Sequence, residues 1–259
     1  MNGKTGRAHG DVNYEKHGAG YATIRRPDPR IAAQILRALG DARRVLNVGA
    51  GAGSYEPVDR EVVAVEPSAT MRAQRPPHLT PAIDATAENL PFEDGGFDAS
   101  MALITVHQWS DLRRGLSEMR RVTRGPVIVM AFDSDAQDRH WLMGYAPELA
   151  AVECRRDPPM ETLVALLGGN ARVEPVIIPA DCMDGFSEAY FARPERLLDP
   201  AVRKAQSSWS FLEPGVEDAI VARLRTDLES GAWDAKHGHW RDAPTFEGSL
   251  RLIVALPRG

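Results

Sequence analysis

Three glycines and one glutamate have the spacing of a nucleoside-binding site. Gly49, Gly51 and Gly53 end or directly follow the short apolar run VLNVG, and Glu66 closes a second such run, VVAVE. Glycine lets the backbone turn sharply and approach a ligand closely. A carboxylate at the end of the next strand can accept two hydrogen bonds from a ribose 2′,3′-diol. The pattern predicts a site for a nucleoside-containing cofactor without saying which one.

The elements that would carry these residues alternate between apolar strands and helical segments. Short apolar runs bounded by glycine or proline are typical of strands that are buried on both faces. The segment DLRRGLSEMRRV, between two such runs, has the apolar spacing of a helix. This alternation predicts a parallel sheet covered by helices on both faces. The predicted strands are VLNVG (45–49), VVAVE (62–66), FDASMALIT (97–105), PVIVMAF (126–132), VEPVIIP (173–179) and LRLIVAL (250–256).

Residues 181–247 differ in character from the strand-rich part of the chain. They contain four prolines, several aromatic residues and helical patterns such as VEDAIVARLRTDLES. We interpret them as a helical cap inserted before the last strand, which either closes a pocket or only covers the sheet edge. The predicted organisation is one compact domain with an N-terminal arm and helix that form a lid (1–40), a cofactor-binding core (41–180), the cap (181–247) and the last strand (248–259).

The composition excludes several classes of protein. The 259 residues are 43% hydrophobic and 26% charged, the balance of a soluble globular protein. Two cysteines, Cys154 and Cys182, are too few for a disulfide framework or a CxxC zinc site, so we expect no metal and a cytoplasmic location. A net charge of −5 argues against nucleic acid as a partner. No apolar run approaches the ~18 residues of a membrane span, and the polar start of the chain is unlike a signal peptide.

Four motifs in order carry a resemblance to a known family. The glycines fall as G-x-G-x-G rather than the dinucleotide pattern G-x-G-x-x-G. VLNVGAGAG, VVAVEPS, TAENLPFEDGGFD and LITVHQW follow one another over about residues 40–132. In these motifs the chain resembles class I S-adenosylmethionine-dependent methyltransferases, of the subgroup that includes ubiquinone- and menaquinone-biosynthesis-type enzymes. The resemblance implies an α/β, Rossmann-like fold: a mostly parallel seven-stranded sheet with helices on both faces and the helical cap before the last strand. It also implies S-adenosyl-L-methionine as the cofactor.

The resemblance assigns roles around this cofactor. The three glycines would pass under its methionine part, and Glu66 would hold the ribose. Pro67 and Ser68 would flank the adenine, and Thr86 and Ala87 would lie at the adenine edge.

Other predicted contacts come from the strand end and from the N-terminal arm. Leu103 or Ile104 would offer a backbone carbonyl to the cofactor ammonium group. In the resembled family the N-terminal segment often folds over the cofactor, so Tyr14 and Tyr21 could cover it and Arg25 could pair with its carboxylate. The alternative is that these are solvated residues of a flexible arm.

Two residues depart from the family pattern. Asn47 stands where the family most often has aspartate, and Thr86 replaces the common adenine-binding aspartate. Both side chains can form hydrogen bonds, but neither carries the negative charge that would complement a cationic cofactor.

His107 and Trp109 follow the strand 97–105, whose end would face the ligand crevice. An imidazole titrates near neutral pH, so His107 could act as the catalytic general base, or it could only cap the helix that begins near Asp111. Trp109 could form a wall of the acceptor pocket or pack under the cap.

The segment DCMDGFSEAYFARP brings further substrate candidates close together. Asp181, Phe186 and Tyr190 could hold an acceptor amine or an aromatic ring, although such an aromatic run near a strand end is often core. The sequence as a whole predicts methyl transfer to an O, N or C atom of a small-molecule acceptor. Two alternatives stay open: a non-catalytic or repurposed S-adenosylmethionine-binding protein, and a nicotinamide-dependent oxidoreductase, which the glycine spacing disfavours. The oligomeric state is not predicted.

Overall fold

A computed structural model describes residues 21–168 and 171–257, with side chains from Thr23 onward. Tyr14 and most of the predicted arm lie outside the described residues. The strands are β1 (Arg44–Val48), β2 (Glu61–Val65), β3 (Ala99–Leu103), β4 (Val127–Phe132), β5 (Ala171–Pro179) and β6 (Thr245–Ala255). The helices are α1 (Tyr21–Ile24), α2 (Pro29–Leu39), α3 (Ala69–Ala73), α4 (Leu112–Val122), α5 (Trp141–Tyr145), α6 (Pro147–Arg156), α7 (Met160–Leu167), α8 (Pro200–Lys204), α9 (Val216–Ser230) and α10 (Ala232–His237).

The described strands form one sheet in the order β2-β1-β3-β4-β6-β5. β2, β1, β3 and β4 are parallel, and β6 runs antiparallel to both β4 and β5. The α/β, Rossmann-like class is therefore confirmed, but the prediction of seven strands is wrong, since the described residues form six.

The sequence between α3 and β3 explains the smaller number of strands. Beyond β2, Ile83 makes a single parallel bridge to Val65, at the sheet edge. Pro76, Pro77 and Pro81 come just before it. Proline has no N–H to donate to a neighbouring strand, so this segment pairs at one point and does not extend into a ladder.

Alternate residues of the strands face helices on opposite sides of the sheet. Val45 belongs to an apolar cluster with Ile35 of α2. The next residue, Leu46, belongs to a second cluster with Met119 of α4. Because side chains alternate across a strand, β1 packs against a helix on each face of the sheet. This packing fixes the position of the turn that follows β1.

A layer of helices lies between β5 and β6 in the chain. Its apolar cluster joins Leu197, Trp209 and Trp233 to Trp141 and Leu149, which come from α5 and α6, outside the predicted cap. The last strand begins at Thr245, earlier than the sequence predicts. The division of the chain into the four predicted parts stays a prediction.

None of the described helices has both the length and the apolar character that crossing a membrane requires.

Two acid–arginine pairs tie the start of the described chain to the segment after β5. Arg25 Nε lies 2.6 Å from Asp184 Oδ1, and the two side chains are 10% and 2% exposed. Arg30 Nη1 lies 2.6 Å from Asp181 Oδ1, and here the side chains are 46% and 81% exposed. Asp184 also accepts a hydrogen bond from the hydroxyl of Tyr55, at 2.8 Å, in the loop after β1. Three distant segments therefore meet on one buried carboxylate.

Asp184→Asn should lower the free energy of unfolding by about 3–5 kcal/mol, because it removes the charge of a buried carboxylate that pairs with Arg25 and accepts from Tyr55. The matched control is Asp181→Asn, which opens the exposed pair between the same two segments and should cost less than about 1 kcal/mol. Urea unfolding followed by circular dichroism measures both. Equal losses in the two variants would contradict a special role for the buried pair.

Candidate active site

The glycine turn follows β1 and leaves one face open. Gly49 and Gly51 have φ values of 68° and 52°, which favour glycine over other residues. A Cβ added at Gly49 would lie 2.3 Å from Oγ1 of Thr105, so the turn touches the loop after β3. A Cβ added at Gly51 would have Cε of Met71, at 3.4 Å, as its one described neighbour within 4 Å outside the adjoining chain. The space beside Gly51 is therefore accessible to a ligand, while Gly53 continues the turn with a φ of 93°.

Glu66 is held in place directly after β2. Its side chain is nearly buried, and its two carboxylate oxygens accept hydrogen bonds from the backbone N–H groups of Gly51 and Ser68, both at 2.8 Å. Burial raises the pKa of Glu66, and the two N–H donors act in the opposite direction. Each oxygen keeps a further lone pair. A diol that approaches the turn would find a fixed pair of acceptors.

The chain leaves β3 through a strained residue at the same edge of the sheet. Ile104 has a φ of 53°, which a β-branched residue rarely adopts. Its N–H donates to the carbonyl of Met130, at 2.7 Å, which holds the turn. The next residue is Thr105, the neighbour of Gly49. The carbonyls of Leu103 and Ile104, predicted to accept from a cofactor ammonium, thus belong to a turn beside the glycines.

A cavity shares Ile104 with this edge. Phe132, Met143 and Phe186 contribute further apolar surface to it. Its polar lining includes His107, Gln137, His140, Glu153, Asp157 and Glu188.

His107 lies in this lining and close to a carboxylate. Its Nδ1 is 3.7 Å from Oδ1 of Asp157, and both side chains are less than a tenth exposed. Oδ2 of Asp157 accepts a hydrogen bond from Nε2 of Gln137, at 3.2 Å. The alternative that His107 caps the following helix is wrong, because Asp111 caps α4 by accepting from the N–H of Arg114 at 2.9 Å.

Comparisons with known proteins agree with this geometry. The family model described as "Methyltransferase domain" matches residues 46–129. The chain is 30% identical over 118 residues to the uncharacterized methyltransferase YcgJ of Bacillus subtilis, a match that spans 40% of this chain and 42% of that protein. A crystal structure from Anabaena variabilis, described as a methyltransferase of an antibiotic biosynthesis pathway, superimposes with a TM-score of 0.84. It is 29% identical, and the match covers 90% of this chain and 99% of that one.

Residues 46–129 therefore match a methyltransferase domain, and the chain resembles class I S-adenosylmethionine-dependent methyltransferases in sequence and fold.

The match to the curated relative spans less than half of that protein's length, so what this whole protein does is a matter for proposal. The [4+2]-cyclase SpnF also shares the fold, with a TM-score of 0.53 at 16% identity over 94% of this chain and 90% of that one.

The residues at the glycine turn fit S-adenosylmethionine, the cofactor of this methyltransferase family, and the predicted cofactor is confirmed. The open face beside Gly51 leaves room for the methionine part, and the fixed carboxylate of Glu66 offers acceptors to the ribose.

The departure from the family pattern at Asn47 has a local cause. Asn47 is buried, and its Nδ2 donates to Oε1 of Glu56 at 3.0 Å. Glu56 is itself paired with Arg75 through two hydrogen bonds of 2.9 and 2.8 Å, with both side chains almost fully buried. An aspartate at position 47 would face the Glu56 carboxylate, whereas the asparagine amide donates to it. The negative charge that Asn47 lacks is instead carried by its hydrogen-bond partner Glu56, and the positive charge of Arg75 compensates it.

The residues predicted to contact the adenine edge interact with other residues of the protein. Thr86 forms a side-chain hydrogen bond with Glu88, and Ala87 is buried. Trp109 packs over this region rather than in the cavity lining: a Cβ added at Gly115 would lie 2.5 Å from Cε3 of Trp109 and 3.2 Å from Cβ of Ala87. Pro67 stands between Glu66 and its donor Ser68 in the chain. These adenine contacts stay predictions.

The other predicted site residues are spread over three environments. Phe186 and Arg25 line the cavity, although the Arg25 guanidinium is paired with Asp184. Tyr190 is buried in the helical apolar cluster, and Asp181 is an exposed partner of Arg30, so neither lines the cavity. Tyr21 begins α1, but its side chain lies outside the described part of the chain.

Several residues of the cavity were not found by sequence reasoning. Gln137, His140, Glu153 and Asp157 come from the stretch between β4 and α7, where no family motif falls. One signal was present: Glu153 interrupts the apolar run LAAVEC.

Glu66→Ala should weaken the binding of S-adenosylhomocysteine by about 1.5–3 kcal/mol, since it removes two charge-assisted acceptors. Titration calorimetry at a temperature where both proteins are folded measures the change. Glu61→Ala is the matched control, because Glu61 begins the same strand and its exposed side chain pairs with Arg44 at the opposite end. Unchanged affinity in Glu66→Ala would remove Glu66 from the site.

Proposed function

We propose that this protein transfers the methyl group of S-adenosylmethionine to an O, N or C atom of a small molecule held in the cavity. One observation carries the proposal: Ile104 begins the turn after β3, next to the residue that touches Gly49, and also lines the cavity. A cofactor over the glycine turn and an acceptor in the cavity would therefore share a wall.

The bound cofactor supplies an electrophilic methyl group on a sulfonium. The protein then has to place the acceptor atom in line with the S–CH₃ bond and keep water out. Phe132, Met143 and Phe186 provide an apolar boundary for that purpose. The proposed site takes a small molecule and neither nucleic acid nor membrane.

His107 is the proposed general base for an acceptor that carries a proton. The carboxylate of Asp157 near Nδ1 favours the tautomer that keeps the proton there, which leaves Nε2 able to accept one. Gln137 fixes the carboxylate through its own hydrogen bond. In this arrangement Asp157 is a positioning residue.

The proposed location is the cytoplasm. Cys154 and Cys182 are both free thiols, which suits a reducing compartment.

Methyl-labelled S-adenosylmethionine tests the reaction. The protein is incubated with the label and a small-molecule extract, and labelled products are separated by mass. We expect label in one or a few small molecules, and much less label with Glu66→Ala at a cofactor concentration below saturation. Binding of S-adenosylhomocysteine without any transfer would instead support the repurposed cofactor-binding protein.

His107→Ala should lower kcat by about 10²–10⁴-fold and leave the affinity for S-adenosylhomocysteine nearly unchanged. The wild-type rate should fall at acid pH, because a protonated imidazole can no longer accept a proton. Steady-state kinetics on the labelled acceptor measures both effects.

The control is His78→Ala, which removes an exposed histidine of the loop before Ile83. Near-normal turnover of His107→Ala would mean that the acceptor needs no base and that proximity alone accounts for the rate.

A further inference from the structure

The cavity lining contains buried polar atoms that have no hydrogen-bond partner among the described residues. They are both ring nitrogens of His140, Oγ of Ser187 and Nε2 of Gln206. The three residues are 1%, 8% and 7% exposed, so bulk water does not reach them freely. Buried polar groups normally find partners, and their presence together in one lining indicates that a ligand completes them.

The side-chain amide of Gln206 has a fixed orientation. Its Oε1 accepts a hydrogen bond from Nε1 of Trp209, at 3.1 Å. An indole N–H can only donate, so the oxygen of the amide has to face Trp209 and the NH₂ group is left without a partner in the described structure. Gln206 therefore needs a ligand atom that accepts hydrogen bonds, and a group that only donates leaves it unsatisfied.

His140 is an uncharged imidazole held by apolar packing. Burial, followed by the electrostatic effect of His237, lowers its pKa to about 3, so at neutral pH one ring nitrogen donates and the other accepts. Its ring packs against the rings of Trp141 and Phe246, with centroids 5.4 and 6.0 Å away. The N–H of Trp141 is used by the carbonyl of Phe191, at 2.9 Å. The packing fixes the imidazole and leaves its nitrogens for a ligand.

The hydroxyl of Ser187 is left out of the hydrogen bonds around it. The neighbouring Glu188 uses its carboxylate for β6, where it accepts from the N–H groups of Ser249 and Leu250 at 2.6 and 3.3 Å. A Cβ added at Gly248 would lie 2.5 Å from that carboxylate, so the strand has no side chain in the space that Glu188 fills. Ser187 keeps one donor and its acceptor lone pairs.

Together the three side chains require a particular set of ligand atoms. Gln206 brings two donors, and Ser187 and His140 each bring one donor and an acceptor. A carbonyl oxygen can accept from two donors, and an adjacent N–H or O–H can donate to the imidazole. All three side chains are uncharged, so a neutral group satisfies them without the cost of taking a charge out of water.

We propose that the methyl acceptor carries an uncharged carbonyl group with an N–H or O–H beside it, as in a carboxamide. Gln206 and Ser187 donate to the carbonyl oxygen, and His140 accepts from the neighbouring N–H or O–H. The inference rests on the proposed function, since it identifies the substrate class of the same cavity. The rings of Phe132 and Phe186, with centroids 6.1 Å apart, favour an aromatic or alkyl body for the rest of the molecule.

Three small molecules of one shape test this group. 3-Phenylpropanamide, 4-phenylbutan-2-one and 3-phenylpropanoate share a phenylethyl body that carries an amide, a ketone or a carboxylate. They are titrated in turn into the protein saturated with S-adenosylhomocysteine. We expect the amide to bind at least about fivefold more tightly than the ketone, which lacks the N–H. The carboxylate should bind at least about tenfold more weakly than the amide, because it also lacks that donor and loses the hydration of its charge.

Three outcomes of the titrations would overturn the inference. They are equal binding of the amide and either of the other two compounds, no binding of the amide, and preference for the carboxylate. The last of these would assign selection to Arg25 or Arg156, the guanidinium groups of the lining. Because S-adenosylhomocysteine binding is measured first, its absence identifies failure of the proposed function. Its presence without a preference for the amide identifies failure of this inference alone.

His140→Phe locates the N–H of the ligand. Phenylalanine keeps a ring against Trp141 and Phe246 and removes both nitrogens. The variant should lose the preference for the amide over the ketone and leave S-adenosylhomocysteine binding unchanged. The melting temperature of the ligand-free protein should stay the same or rise, since a buried polar group without a partner is removed. A lower melting temperature with the preference intact would mean that His140 is satisfied without a ligand, and would overturn its assignment.

Ser187→Ala tests the carbonyl end. It should weaken binding of the amide and the ketone to the same degree, by about threefold or more, because both carry the oxygen. The matched control is Ser100→Ala in β3, whose Oγ is also buried and without a described partner but does not line the cavity. The control should leave all three affinities unchanged. No loss in Ser187→Ala, or an equal loss in the control, would overturn the assignment of Ser187, and thermal unfolding of each variant verifies that it is folded.

Discussion

The buried carboxylate of Glu66 is the interaction on which the cofactor edge depends. A nearly buried acid needs donors, and the chain supplies them from both sides: the N–H of Gly51 in the turn after β1 and the N–H of Ser68 at the start of α3. One side chain therefore fixes the distance between two loops. The glycine turn is shaped by this contact as much as by its own residues. A ribose that replaced water here would meet acceptors already in position, with little reorganisation needed.

Two other buried carboxylates also need partners from distant segments. Glu56 is satisfied by Arg75 and Asn47, and Asp184 by Arg25 and Tyr55. Each buried acid collects partners from segments that are far apart in sequence. Loops that would otherwise move independently are held to one another by the cost of leaving such a charge unpaired.

The strands and the motif that depend on short-range sequence patterns were predicted from the sequence. β1 to β4 follow from apolar runs, and the glycine turn with Glu66 follows from a motif of fixed spacing. The sequence analysis did not anticipate that the described residues lack a seventh strand. Three prolines near Ile83 limit that segment to a single bridge with Val65. The partner of Asn47 could not be predicted either. Glu56 and Arg75 lie in loops whose approach is set by tertiary packing and not by any local periodicity.

The acceptor side was the least predictable part for a related reason. Asp181 and Tyr190 have residue types that suit an acceptor. However, Asp181 pairs with Arg30 at the surface, and Tyr190 is buried in the helical apolar cluster. The cavity takes its polar groups from a stretch with no motif, where Glu153 and Asp157 are separated by one helical turn.

A cavity lined in this way lowers the stability of the empty fold. Neighbouring carboxylates repel each other, and a neutral histidine keeps two nitrogens without partners among the described residues. An apolar lining of the same shape would pack more favourably. Natural sequences depart from such local consistency mainly at functional sites, where a ligand restores it. Glu153, Asp157 and His140 are such a departure, and they share the cavity lining with Ile104 of the strained turn. The two features together support the proposed direction of the site, with a cofactor on the glycine side and an acceptor that has polar groups of its own on the other.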